Sequence, residues 1–248
     1  LVMRIAKIYE TQKNWKKALK TYSRYIKKYG KAQPEMVPGL YLSRALIIQR
    51  EGGKRTRAKA TAELKKAQKS YGRLKDKQKE DAKVRQAMAK VMFLQAEYKY
   101  DDFEAIQLTF PIRKLKKALV AKAKLLGECE KLFFEVTSYK SFHVSAGALY
   151  RIGESYYVYA KSLFDLPMPK GLSEDEEITY RAMLDDRAAP LQEKAIDATK
   201  NALKLAHKNH VYNEWSRKAA ALLAKLSPEL FPVLEDAVVN TEWDVPAT

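Results

Sequence analysis

Apolar side chains recur three and four positions apart along most of this chain, the spacing that gathers them on one face of an α-helix. No stretch alternates convincingly in the period of two that a half-buried strand requires. Val2, Ile5, Ala6 and Tyr9 mark a first short helix, and Asn14 is placed to cap a second that carries Trp15, Ala18, Leu19, Tyr22 and Ile26. Gly30 suits the position just past the end of that helix, where glycine commonly turns left-handed, and Pro34 lies beyond it. A third helix is expected over 39–50, stopping at Gly52-Gly53, and a fourth over 57–74 with Ala60, Leu64, Ala67 and Tyr71 on one face. A fifth covers 79–100. The Asp101-Asp102-Phe103 stretch reads as a turn leading to Phe110-Pro111, and proline at the first helical position starts a sixth helix that reaches 136.

Ser141 opens a seventh helix that runs to Phe164. Leu166-Pro167-Met168-Pro169-Lys170-Gly171 is the clearest loop in the chain. Behind it, Ser173 and Glu176 have the spacing of a capping box, so the acidic cluster around them serves a helix N-terminus rather than a metal. Pro190 marks a kink or a fresh start in a helix that continues to His207. A further helix covers 212–226, and Ser227-Pro228-Glu229 starts a short last one. The expectation is an all-α chain of about nine to ten helices.

Composition narrows the chemistry. Of 248 residues, 46% are hydrophobic and 31% charged, which places the chain among folded proteins rather than disordered tails. The single cysteine, Cys129, excludes an internal disulfide framework and any cysteine-based zinc site; beside Leu126, Leu132 and Phe133 it reads as a small core residue. His207 and His210 have no carboxylate or cysteine close by in sequence and read as cations at a helix end, and His143 as a turn or interface residue. The pairs Asp101-Asp102 and Asp185-Asp186 read as turn residues. Phosphate-cradling, dinucleotide, zinc-protease and nucleophile-elbow motifs are all missing from the sequence. The expectation is no catalytic site, no metal and no cofactor. No apolar run approaches the roughly 18 residues that span a bilayer.

Ile5, Ala6, Tyr9, Trp15, Ala18 and Tyr22 stand at the spacing of a tetratricopeptide (TPR) repeat, a helix pair in which small residues sit where the helices cross and large ones surround them. Ile152, Gly153 and Tyr156 match the first helix of such a unit again, Ala45 and Ile48 match with Ala60, Leu64 and Ala67 as the second helix, and Trp215, Ala219 and Leu222 form a weaker copy. Arg44 and Lys218 depart from the pattern, standing where it takes a large apolar residue. The chain thus resembles the TPR superfamily. Leu166 to Leu172, Tyr180-Arg181, Pro190 to Ala195 and Val211 to Trp215 are also similar to the C-terminal part of large bacterial envelope TPR proteins associated with gliding motility in deltaproteobacteria.

That resemblance implies a right-handed α-solenoid, in which each helix pair touches only its neighbours. The pairs would be two within 1–74, a long pair over 79–137, pairs over 141–226 with an insertion at 166–186, and a short helix with an acidic tail over 227–248. The first helices would line a concave groove for a partner peptide or helix. Carried over onto the matched copies, the groove positions are Met3, Lys7 and Glu10; Leu42, Leu46 and Gln49; and Gly147, Tyr150, Glu154 and Tyr157, with Tyr150 and Tyr157 as ring anchors. The resemblance implies a segment of a larger envelope protein, periplasmic, with any targeting segment outside this sequence; the cytoplasm is the alternative.

The formal net charge of +17 is unevenly placed. Fourteen basic residues between Lys54 and Lys90 face only four acids, while the chain from Pro228 onward has five acids and no base. Lys59, Lys65, Lys66, Lys69 and Arg73 form a candidate patch for an anionic partner. Three readings remain open: a solvated lysine surface, attraction to an acidic protein segment or other anionic surface, and nucleic acid. Against the last, few aromatics interleave the lysines and no reading motif accompanies them. The leading expectation is a non-enzymatic protein-interaction scaffold, with association between copies of the chain left open; the alternative is a basic helical nucleic-acid-binding module.

Overall fold

The computed structural model describes residues 2–50 and 54–231. Among them all regular structure is helical, and no strand occurs. In chain order the helices are α1 (Val2–Thr11), α2 (Trp15–Tyr29), α3 (Val37–Arg50), α4 (Lys54–Gly72), α5 (Asp76–Lys79), α6 (Ala82–Glu104), α7 (Ile112–Thr137), α8 (Phe142–Phe164), α9 (Glu174–Lys208) and α10 (Glu214–Leu226), with a 3-10 turn at Pro34–Met36. The Gly52-Gly53 connection and the tail from 232 lie outside the described residues.

Local signals place most of the boundaries. Asn14 Oδ1 accepts from the Lys17 amide at 3.3 Å, and Asn213 Oδ1 accepts from the Trp215 and Ser216 amides at 3.0 and 3.1 Å. Ser173 and Glu176 close the expected capping box: the Glu176 carboxylate accepts from the Ser173 amide at 2.8 Å. Those bonds hold Glu176 below its ordinary value. Several expectations need correction. Gly30 ends α2 in right-handed dihedrals, φ −62° and ψ −25°, so no left-handed turn is needed there. Lys79 ends α5 and residues 80–81 are a break rather than part of the long helix, because the Asp81 side chain accepts from the Lys83 and Val84 amides and caps α6 from outside. The Asp101-Asp102-Phe103 stretch continues α6: Asp102 is gripped by Nη1 and Nη2 of Arg57 at 2.7 and 2.8 Å, and Phe103 is fully buried. The expected insertion at 166–186 shrinks to a loop over 165–173. From Glu174, α9 runs unbroken through Pro190, held on its neighbours by buried Leu184 and Ala188, so Asp185 and Asp186 are helical too. Pro228–Leu230 forms a single turn, not a helix.

The helices pair in sequence: α1 with α2, α3 with α4, α6 with α7, and α8 with α9, while α10 lies on both α8 and α9. Between pairs, α3 packs on α6, α6 on α8, and α8 on α10. The main core runs from Leu42 and Leu64 through Met88, Phe103 and Phe133 to Tyr156 and Ala195, and Cys129 is fully buried within it. Ala6, Ala18 and Tyr22 seal the first pair against Leu40 and Ile47. Arg44, at a position where the repeat pattern takes an apolar side chain, ties three helices together. Its Nε meets Glu63 of α4 at 2.5 Å, and Nη1 donates to the Leu19 carbonyl of α2 at 3.1 Å. Burial pushes the Glu63 carboxyl up, but hydrogen bonds from Arg44 and Lys66 outweigh it and hold the group below its ordinary value.

At Gly153 the backbones of α8 and α9 come close together. A Cβ on Gly153 would collide with Thr199 Oγ1 and come within 3.0 Å of the Ala195 carbonyl oxygen. Gly147 does the same for α10, since a Cβ there would stand 2.9 Å from the Trp215 ring. Gly153→Ala should therefore cost roughly 1–3 kcal/mol, which in a chain this long lowers the thermal midpoint by roughly 2–4 °C per kcal/mol. Gly153→Ala/Thr199→Ala should recover part of it; an unchanged midpoint for the single variant would contradict the crossing. A second prediction concerns Glu63, whose folded-state proton affinity is lowered. Its contribution is complete above the ordinary value of 4.5 and is lost as pH falls through the folded value. Thermal melts of Glu63→Gln should lie below wild type at neutral pH, and the gap should close in acid below that value. A constant gap would contradict the assignment.

Candidate functional site

The centre of α8 carries a partly buried polar cluster. Arg151 grips Glu97 of α6 with Nε and Nη2 at 2.7 and 2.8 Å, and its Nη1 pairs with Glu154 one turn on. The Tyr150 hydroxyl donates to the other Glu154 oxygen at 2.5 Å. Aromatic faces enclose the guanidinium, 4.6 Å from the Tyr100 centroid and 5.3 Å from that of Trp215. Burial raises Glu97 above its ordinary value against the pull of Arg151, and it pushes the Tyr150 phenol up as well. Arg151 pays its own burial but is held charged by the two carboxylates around it. A guanidinium with two carboxylates and stacked rings joins three helices, α6, α8 and α10.

These contacts relocate the α8 positions expected to face a partner. Tyr150 is only 6% exposed and packs on Trp215 and Ala202 under α10, so it is a core residue. Tyr157 is half-buried among the same residues with Lys225 over its ring, and Glu154 is occupied by Arg151 and Tyr150. Gly147 is buried against Trp215. On α3, Leu42 is buried in the main core, while Leu46 (41% exposed) and Gln49 remain at the surface. On α1, Lys7 is exposed, Met3 packs on the core, and Glu10 accepts a hydrogen bond from the Tyr22 hydroxyl. The α1 and α3 positions share no hydrogen bond or ion pair with those of α8 among the described residues. Lys59, Lys65, Lys66, Lys69 and Arg73 are all exposed; Lys66 pairs with Glu63 at 2.7 Å.

What the sequence did not indicate is a hollow of about 400 Å³ where α6, α8 and α10 meet, lined by Gln86, Lys90, Phe93, His143, Val144 and Trp215. Phe93 packs edge-on to Trp215 with centroids 5.3 Å apart, and Lys90 and His143 are exposed at its edge. Asn213 Nδ2, at the N-cap of α10, donates to the His143 carbonyl at 3.4 Å and holds the start of α10 beside α8.

Cys129 is fully buried and its thiol is pushed up to about 12 by burial, far from the thiolate a nucleophile needs. Among the described residues no group of three His, Cys, Asp or Glu side chains could hold a metal, and no helix is long and apolar enough to cross a membrane. No protein-family model matches the chain, and no curated protein or solved structure does either.

Removing the cation at this centre leaves two acids facing each other. Arg151→Met should cost up to about 3 kcal/mol, the low end for a buried pair broken on one side. Without its partner, Glu97 takes up a proton more readily in the folded chain than in the unfolded one, so the deficit should shrink as pH falls from neutrality towards 4.5. Paired melts across that range check it; a deficit that grows in acid would contradict the arrangement.

Proposed function

We propose that this chain is a TPR-like, right-handed stack of helix pairs that acts as a non-enzymatic protein-interaction scaffold. The observation that carries the reading is the order of packing: α3 on α6, α6 on α8 and α8 on α10, each the first helix of its pair or the last helix of the chain. Glycine at the α8 crossing supports it, because a small residue where two helices meet is what the repeat resemblance implies. First helices that follow one another in this way present one continuous side-chain face. On it, the Phe93–Trp215 hollow replaces Tyr150 and Tyr157 as the aromatic anchor point. Lys90 and His143 at its edge favour a partner segment with acidic side chains. The sequence resemblance supports a scaffold within a larger envelope-associated protein, on the periplasmic side.

The test is a pull-down from the source cells followed by titration of the captured partner. Lys90→Glu/His143→Glu changes two exposed residues and should weaken capture by about 2 kcal/mol or more, the hot-spot scale. Lys65→Glu/Lys69→Glu, on α4, should bind nearly as wild type. The reverse result would move the site to the basic α4 surface. Retention on DNA or RNA with a steep salt dependence, lost in the α4 variant, would favour a nucleic-acid module instead.

A further inference from the structure

Between the start of α7, the end of α8 and the first half of α9 the fold forms a cavity of about 240 Å³ that opens to solvent along one edge. Its wall is made by Leu115 and Leu119 of α7, Leu163 of α8, Leu166 of the following loop and Leu184 of α9. The volume exceeds the roughly 150 Å³ of an apolar cavity that stays dry and admits benzene. Three polar groups border this oily space. The Tyr180 hydroxyl is shielded from solvent and meets no hydrogen-bond partner among the described residues. Lys116 and Arg187 stand at the edge, both exposed and in no ion pair among the described residues. A buried hydroxyl left unpaired is costly, and an apolar pocket with a few convergent polar groups is the usual form of a small-molecule site.

We propose that this cavity binds the carboxylate of a medium-chain fatty acid. The aliphatic chain lies among the leucines, where each methylene leaves water. The carboxylate meets Lys116 and Arg187, and the Tyr180 hydroxyl donates to it, so the orphan donor gains a charged acceptor. A neutral ester of the same length fills the same volume but forfeits the charge. None of the residues of the first-helix face takes part, so this site stands or falls apart from the scaffold reading.

The experiment is equilibrium dialysis of the full chain with radiolabelled decanoate below its micelle concentration, with methyl decanoate as competitor. Wild type should bind one decanoate per chain saturably, and the ester should compete at least about tenfold more weakly. Lys116→Gln/Arg187→Gln should erase that preference by weakening decanoate alone. Tyr180→Phe should weaken decanoate severalfold and leave the ester unchanged. Leu119→Trp fills the space from its partly exposed rim and should abolish both; if it does not fold, Met183→Trp does so from α9. No saturable binding to wild type, an ester as tight as the acid, or full affinity in a folded cavity-filled variant would each overturn the proposal.

Discussion

The contact between Gly153 and Thr199 sets the geometry around which the other helices are arranged. Thr199 is fully buried and bonds back to the Ala195 carbonyl at 2.7 Å, which keeps its hydroxyl satisfied against a backbone that offers it nothing. With no Cβ on α8 at this point, α9 can lie along it closely enough for Ile152, Tyr156 and Ala195 to join one core. The same helix receives α6 and α7 on other sides and α10 over Gly147. Two helices, α9 and α10, therefore depend on α8 having no side chain at these two positions. Packing at interior density leaves no slack there, so added volume has to be accommodated by backbone movement.

Around that contact, specificity comes from arginines rather than from more apolar surface. Arg44 joins α2, α3 and α4; Arg57 joins α4 and α6 through Asp102 and the Tyr98 carbonyl; Arg151 joins α6 and α8 and stacks on α10. Lys122 serves the same end differently. It is 2% exposed, its Nζ donates to the Phe103 and Ile106 carbonyls at 3.4 and 2.8 Å, and burial lowers its proton affinity. Those carbonyls close the C-terminal end of α6, where a cation also complements the helix dipole. A helix stack held only by leucines and alanines could slide by a turn. Fixed polar pairs between neighbours select one register.

The helices and their caps were legible because their causes are local: Asn14, Ser173 with Glu176, and the 3.6-residue spacing of Ala60, Leu64 and Ala67 need no knowledge of the rest of the chain. Gly153 at a helix crossing was legible for a related reason, since glycine within an apolar helical stripe has few other uses. The Asp101–Asp102 stretch was misread because acidic pairs usually sit in turns, and the partner that keeps it helical, Arg57, is 45 residues away. Tyr150 looked like a surface anchor for the same reason. Its burial depends on α10 folding back over α8, and nothing around residue 150 encodes that return. The Arg151–Glu97 pair spans 54 residues and was invisible to any local pattern.

Helix pairs that stack as proposed are graded in stability by their neighbour contacts, and native-state hydrogen exchange measures that gradient most directly. Helices α8 and α9, packed on both sides, should show the highest opening free energies, with α3, α4, α6 and α7 below them. The α1–α2 pair, which meets the rest mainly through α3, should open first as denaturant is raised. Exchange from all helices with one common free energy and one common denaturant dependence would contradict it, because that is the behaviour of a single closed core.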